Sequence, residues 1–278
     1  MINPTTLSEQ LLFSTIRIVV IKSDQLVSIG TGFFFLLDVD EKKQKSFIIT
    51  NKHVVKDGIT GIFTLHEAKI SGDQVNPSGQ FFTVQIDDLQ HYCIPHPDNE
   101  IDLCAISIEP LKLEADKLGK NVFSIPLDPS MIINDEQLKE LSAVEDILMA
   151  GYPIGLWDEY NNLPIIRRGI TASHPALNFN GKSMFVIDAA IFRGSSGSPI
   201  IIANEGIYQS RGAVVIADRI ILLGVLFAMP VTTIEGEIVI KEIPTVRKPI
   251  SESSVPIHLG YIIKAKEILK IINRGRNS

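Results

Sequence analysis

The feature that most constrains this chain is a succession of short β-rich runs, each closed by a turn. Residues 17–22, 27–29, 33–38, 46–50, 60–65 and 81–86 follow one another at close spacing, and 121–125 adds a shorter run. Residues 144–151, 165–171, 184–190, 212–217 and 222–227 repeat the pattern. Val, Ile and Phe suit a pleated, half-buried surface. Short strands at regular spacing with turns between them predict an all-β barrel or sandwich. Helical composition is confined to 6–15, 109–117, 134–142 and 262–272, the last with Ile263, Ile268, Leu269 and Ile272 on one face. The polar stretch 67–79 reads as a surface excursion. So does 232–255, with a hairpin at Ile234-Glu235-Gly236-Glu237. A boundary between two β units falls between about Leu111 and Leu141.

Composition narrows the function classes. With 278 residues, 45% of them hydrophobic, the chain can bury a large core. Its net charge is −6 and no block of Lys or Arg stands out, which argues against a nucleic-acid partner. Two cysteines, Cys93 and Cys104, are too few for a secreted disulfide framework, and Cys104 reads as a small core residue. The start Met1-Ile2-Asn3-Pro4-Thr5 lacks the basic and apolar segments of a secretion signal. The early apolar run 16–21 is far too short to span a bilayer. The expectation is a soluble, cytoplasmic protein with no membrane partner.

Chemistry concentrates in Ile191-Phe192-Arg193-Gly194-Ser195-Ser196-Gly197-Ser198-Pro199, a glycine-hinged turn between two apolar runs. Glycines there let successive N–H groups converge on one point as an oxyanion hole, around a serine nucleophile. The same composition is also ordinary for a loop. Upstream, His53 follows directly on a strand end in Thr50-Asn51-Lys52-His53-Val54-Val55, at the rim of the fold. Asp102 abuts the apolar strand Leu103-Cys104-Ala105-Ile106 and is expected to be at least half buried. A buried carboxylate needs a partner, which an imidazole or backbone N–H can supply. Asp98 and Glu100 read as exposed charges. Cys93 and His96 have a ligand-like spacing near His91, but no second pair completes a tetrahedral site, so no metal or other cofactor is expected.

The order His53, Asp102, Ser196 resembles the chymotrypsin-like (trypsin-fold) serine peptidases, in particular the bacterial Deg or high-temperature-requirement branch. Five blocks carry the resemblance. They are Gly30-Thr31-Gly32-Phe33, Ile49-Thr50-Asn51-Lys52-His53-Val54-Val55, Asp102-Leu103-Cys104-Ala105-Ile106, Ile187-Asp188-Ala189-Ala190-Ile191 with Gly194-Ser195-Ser196-Gly197-Ser198-Pro199, and Leu223-Gly224-Val225. The resemblance implies two six-stranded antiparallel β-barrels with short terminal helices. Residues 1–130 would form the half carrying His53 and Asp102. Residues 131–278 would carry Ser196 and a C-terminal helix, the two halves making one peptidase domain without a PDZ module. Ser196 would attack the scissile carbonyl and His53 would relay the proton. Asp102 would orient the imidazole. The N–H groups of Gly194 and Ser196 would hold the oxyanion, worth ~3–4 kcal/mol per donor.

By the same register Ala190 lies at the base of the primary pocket, with Phe227, Ala228 and Met229 on a wall. No charge is offered there, which implies cleavage of polypeptides after small or medium aliphatic residues. The sequence departs from the family at three places. Ser198 replaces a glycine. Ser195 stands where many animal digestive members carry an aspartate that pairs with a freed N-terminus, and Phe227 stands where relatives carry a hydroxyl on the catalytic aspartate. Ser198 and Phe227 motivate an alternative, a weak or inactive trypsin-fold module serving as a protein-interaction domain. An activating protein partner or homo-oligomer is compatible with either. A strand-rich pattern without alternating long helices argues against an α/β-hydrolase esterase.

Overall fold

The computed structural model describes residues 2–40, 43–210, 212–237, 250–256 and 258–271. A capped turn of helix, α1 (Leu7–Leu11), precedes strands β1 (Thr15–Lys22), β2 (Val27–Asp40) and β3 (Lys43–Thr50). The helical turn α2 (Lys52–Val55) leads to β4 (Gly58–Ser71), β5 (Gln74–Asp87), β6 (Cys93–Pro95) and β7 (Cys104–Ser107). After α3 (Glu109–Lys117), β8 (Val122–Phe123) and α4 (Asp135–Lys139) come β9 (Asp146–Gly151), β10 (Ile165–Thr171), β11 (Met184–Asp188) and β12 (Pro199–Asn204). The chain ends with β13 (Tyr208–Ser210), β14 (Ala213–Val215), β15 (Arg219–Ala228), β16 (Val231–Glu237), β17 (Ile250–Pro256) and β18 (Leu259–Lys264).

Six of these strands close a barrel in the order β10-β11-β18-β15-β12-β9. The N-terminal half is an eight-stranded sheet, β5-β4-β1-β2-β3-β7-β6, with β8 added on β4, so it has two strands more than the six expected. Two further hairpins, β13-β14 and β16-β17, stand apart from both.

Alternation of side chains along the strands explains the continuous apolar runs. In β12, Ile200 and Ile202 point into the barrel core beside Met149, Phe185 and Ile262, while Ile201 points the other way. In β2, Phe33 and Phe35 join Ile201, Val225 and Ile263 in a core between the halves, while Phe34 faces Ile18, Ile48 and Phe63. These strands are buried on both faces, so they read as unbroken hydrophobic sequence. Each fully buried side chain of this size contributes about 1.5–3 kcal/mol. The core between the halves is what sets one half against the other.

Three local expectations are corrected. The stretch 67–79 is no loose excursion: β4 and β5 continue as a hairpin with Ala68 opposite Pro77 and Ser71 opposite Gln74. Its side chains are polar because both faces are wet, and ladder bonds hold it. Ile234–Glu237 is strand, paired with Ser253–Ile250 of β17, and the connection between them lies outside the described residues. The C-terminal helix read over 262–272 is instead β18 followed by a 3₁₀ segment, Ala265–Lys270, with Ile272 outside the described residues. β11 and β15 both need a ladder partner, and β18 supplies it to each. No helix among the described residues is long and apolar enough to cross a membrane.

Candidate active site

Antiparallel pairing of β3 with β7 places Thr50 opposite Cys104. His53 lies three residues past Thr50, and Asp102 lies two before Cys104, so both emerge at the same end of the ladder. There the Nδ1 of His53 is 2.5 Å from Oδ2 of Asp102. The backbone N–H of His53 donates to Oδ1 of the same carboxylate at 3.0 Å. Asn51 caps the arrangement by donating its side-chain amide to the Asp102 carbonyl at 2.7 Å. The His53 side chain is about half exposed (47%) while that of Asp102 is only 26% exposed, so the imidazole presents its free edge at the rim. Asp98 and Glu100 are exposed, as read from sequence.

Ser196 sits in the loop between β11 and β12, half-buried, with glycines of positive φ on either side (Gly194 +85°, Gly197 +89°). A Cβ at Gly197 would fall inside the van der Waals radius of the Thr31 carbonyl oxygen, so the close approach requires glycine. Thr31 ties this loop to the other half. Its N–H donates to the Ser196 carbonyl at 2.8 Å, and its hydroxyl donates to the Gly194 carbonyl at 2.8 Å. Its own carbonyl accepts from the Thr50 hydroxyl at 2.7 Å, three residues from His53. The serine loop and the histidine turn therefore share one anchor. Among the described residues, no protein acceptor is bonded to the N–H of Gly194 or of Ser196. Such a pair of donors on one turn is what an oxyanion requires.

The neighbouring serines are both turned away from solvent. Ser195 is fully buried and its Oγ accepts from Arg167 at 2.9 Å. Ser198 is also fully buried, with its Oγ packed against Gly151 and away from solvent. Arg167 additionally donates to the carbonyl of Ala190. Sequence reading missed Arg167 and passed over the hydroxyl of Thr31. Adjacent arginines in Arg167-Arg168 were the available signal, because successive strand residues point to opposite faces.

The pocket residues divide. Ala190 is exposed, and Ala228 is half-buried opposite Tyr261. Met229 packs against the barrel core, and Phe227 against the core between the halves. Phe227 also lines a cleft of about 890 Å³ with His96, Ile101, Lys182 and Glu267, which Ala190, Ala228 and Met229 do not line. Among the described residues the Asp102 carboxylate oxygens are bonded only by His53.

Cys93, His91 and His96 do not converge. Cys93 donates its thiol to the Leu89 carbonyl, and burial pushes the thiol up to about 12. His96 is buried with its Nε2 3.3 Å from Glu267, and His91 stacks edge-on with Tyr92. Cys104 is buried in the core, its thiol raised well above the usual range by burial. No group of three such side chains among the described residues is placed to hold a metal.

The trypsin-like peptidase domain family model matches residues 30–206, which span all three of these positions. No curated protein matches. Among solved structures, the HtrA-type protease AlgW with tripeptide is 15% identical with a TM-score of 0.52, over 96% of this chain and 62% of that one. The serine endoprotease from Yersinia pestis is 14% identical with a TM-score of 0.48, over 96% of this chain and 65% of that one. The active form of the Rv3671c protease from M. tuberculosis is 15% identical with a TM-score of 0.45, over 95% and 81%. This chain thus spans less than two thirds of the AlgW and Yersinia chains, and the AlgW likeness is one of fold.

Proposed function

Because the chain belongs to the trypsin-like peptidase domain family, we propose that it is a serine endopeptidase acting on polypeptides. Ser196 is its nucleophile, His53 the general base, and Asp102 the residue that orients the imidazole. The observation that carries this reading is the His53–Asp102 pair, made at two points and facing solvent on the side away from the carboxylate. Asp102 on Nδ1 leaves Nε2 to take the Ser196 proton and return it to the leaving amine. The oxyanion of the tetrahedral intermediate is received by the N–H groups of Gly194 and Ser196.

Burial of Ser198 against Gly151 supports activity over the inactive alternative, because its hydroxyl does not intrude on the nucleophile. The primary pocket is taken as lined by side chains without charge, Ala190 at its base and Phe227, Ala228 and Met229 on its wall, with Arg167 bonded to the Ala190 carbonyl behind the base. Cleavage follows small or medium aliphatic residues. A peptide-library digestion by wild type beside Ser196→Ala reports activity and preference together. Cleavage by wild type alone is the expected result. Equal cleavage by both, or by neither, removes the proposal. Ala190→Asp should shift preference toward basic residues, and an unchanged preference would sink the pocket assignment alone.

A further inference from the structure

We propose that Arg167 is a positioning residue, a clamp that holds the nucleophile loop in its reactive shape. The inference rests on the peptidase reading above and adds a part to it. Arg167 and Arg168 are adjacent in β10, opposite Met149 and Leu148 of β9. Arg168 points outward to Asp146 at 2.8 Å, and Arg167 turns inward beneath the loop. One guanidinium nitrogen donates to the Ala190 carbonyl and the other to Ser195 Oγ, five residues further along. The planar fork thus ties the start of the loop to Ser195, the residue between the two N–H donors Gly194 and Ser196. A lysine ammonium has no such fixed spacing.

Two observations make this more than packing. First, the segment is intrinsically loose: Gly194 and Gly197 both take positive φ, and glycine loses the most freedom on being ordered. Thr31 bonds Gly194 and Ser196 from the N-terminal half. Arg167 grips Ala190 and Ser195 from the barrel, so the loop is held between two anchors. Second, among the described residues no carboxylate pairs with Arg167, and its Nε is buried without an acceptor. A half-buried cation without a counter-charge is costly, and an apolar side chain would fill the space at lower cost. Burial lowers its pKa to about 10, so it remains charged at neutral pH. The charge strengthens both bonds to the loop.

The test compares wild type, Arg167→Met, Arg167→Lys, Ser195→Ala and the double variant of Arg167→Met with Ser195→Ala in the full chain, by two readouts. Hydrogen exchange of the 190–197 amides does not depend on activity. Arg167→Met should raise it at least ~10-fold with little change in the barrel strands, and Arg167→Lys should raise it less. Steady-state kinetics should show kcat reduced ~10- to 100-fold in Arg167→Met with KM within ~3-fold, and partial recovery in Arg167→Lys. Ser195→Ala should give a smaller loss that is not additive with Arg167→Met. Unchanged exchange in the loop overturns the proposal whether or not the wild type cleaves peptides. So does a kcat loss that only follows the folded fraction. Raised exchange in Arg167→Met, beside a wild type that never turns over, would retain the clamp and reject the peptidase.

Discussion

The amide of Thr31 donates to the carbonyl oxygen of Ser196 at 2.8 Å. This bond crosses from the eight-stranded sheet to the closed barrel, and it belongs to a set that converges on one fully buried threonine. The Thr31 hydroxyl donates to Gly194 and accepts from the Tyr152 N–H at 3.1 Å, while its carbonyl receives Thr50.

Thr31→Val keeps the shape and removes that hydroxyl. It leaves the Tyr152 N–H and the Gly194 carbonyl without their partner, and each unsatisfied buried group costs about 1–3 kcal/mol. The expected loss of stability is about 2–6 kcal/mol by urea denaturation, with kcat lowered more than KM is raised. A change under ~0.5 kcal/mol with full activity would show that the crosslink does not organise the site.

Asp102→Asn should leave the fold intact, because the side chain is 26% exposed and retains its size. An amide facing Nδ1 favours the wrong imidazole tautomer, so kcat should fall about 10³- to 10⁴-fold with KM nearly unchanged. Steady-state kinetics on a cleaved peptide from the library reads this directly. A loss below ~10-fold would mean that Asp102 does not orient His53.

Much of this arrangement was legible in the sequence, and for identifiable reasons. His53 follows a strand end and Asp102 precedes an apolar strand, so one antiparallel register brings them together. The glycines around Ser196 announced a turn with unusual backbone angles. What was not legible depended on which strands meet. Ile262 and Ile263 fit a helix face as well as a strand, and only the need of β11 and β15 for a partner decides between them. Polar residues 67–79 look like loop because local sequence does not reveal a ladder exposed on both faces. Arg167 and Arg168 are chemically identical neighbours, and which of them turns inward is set by the strands beside β10.

His66 lies outside the proposed chemistry and carries a pH dependence of its own. Its ring packs edge-on against Phe13 at 4.9 Å, and burial lowers its pKa to about 4. A histidine whose folded pKa is depressed contributes stability that is complete above its unfolded pKa of about 6.5. That contribution is lost as pH falls from there through about 4 and amounts to roughly 3 kcal/mol in all. His66→Phe preserves a ring against Phe13 and removes the titration. Urea midpoints between pH 7 and 4.5 should therefore fall less in the variant than in wild type. Parallel curves would show that His66 is not held neutral.

If His53 makes Ser196 nucleophilic, a fluorophosphonate reports it without any need to know the substrate. Wild type should be labelled at Ser196, as located by peptide mass, and Ser196→Ala and His53→Ala should not be labelled. Labelling of Ser195 or Ser198 in place of Ser196, or undiminished labelling in His53→Ala, would contradict the account.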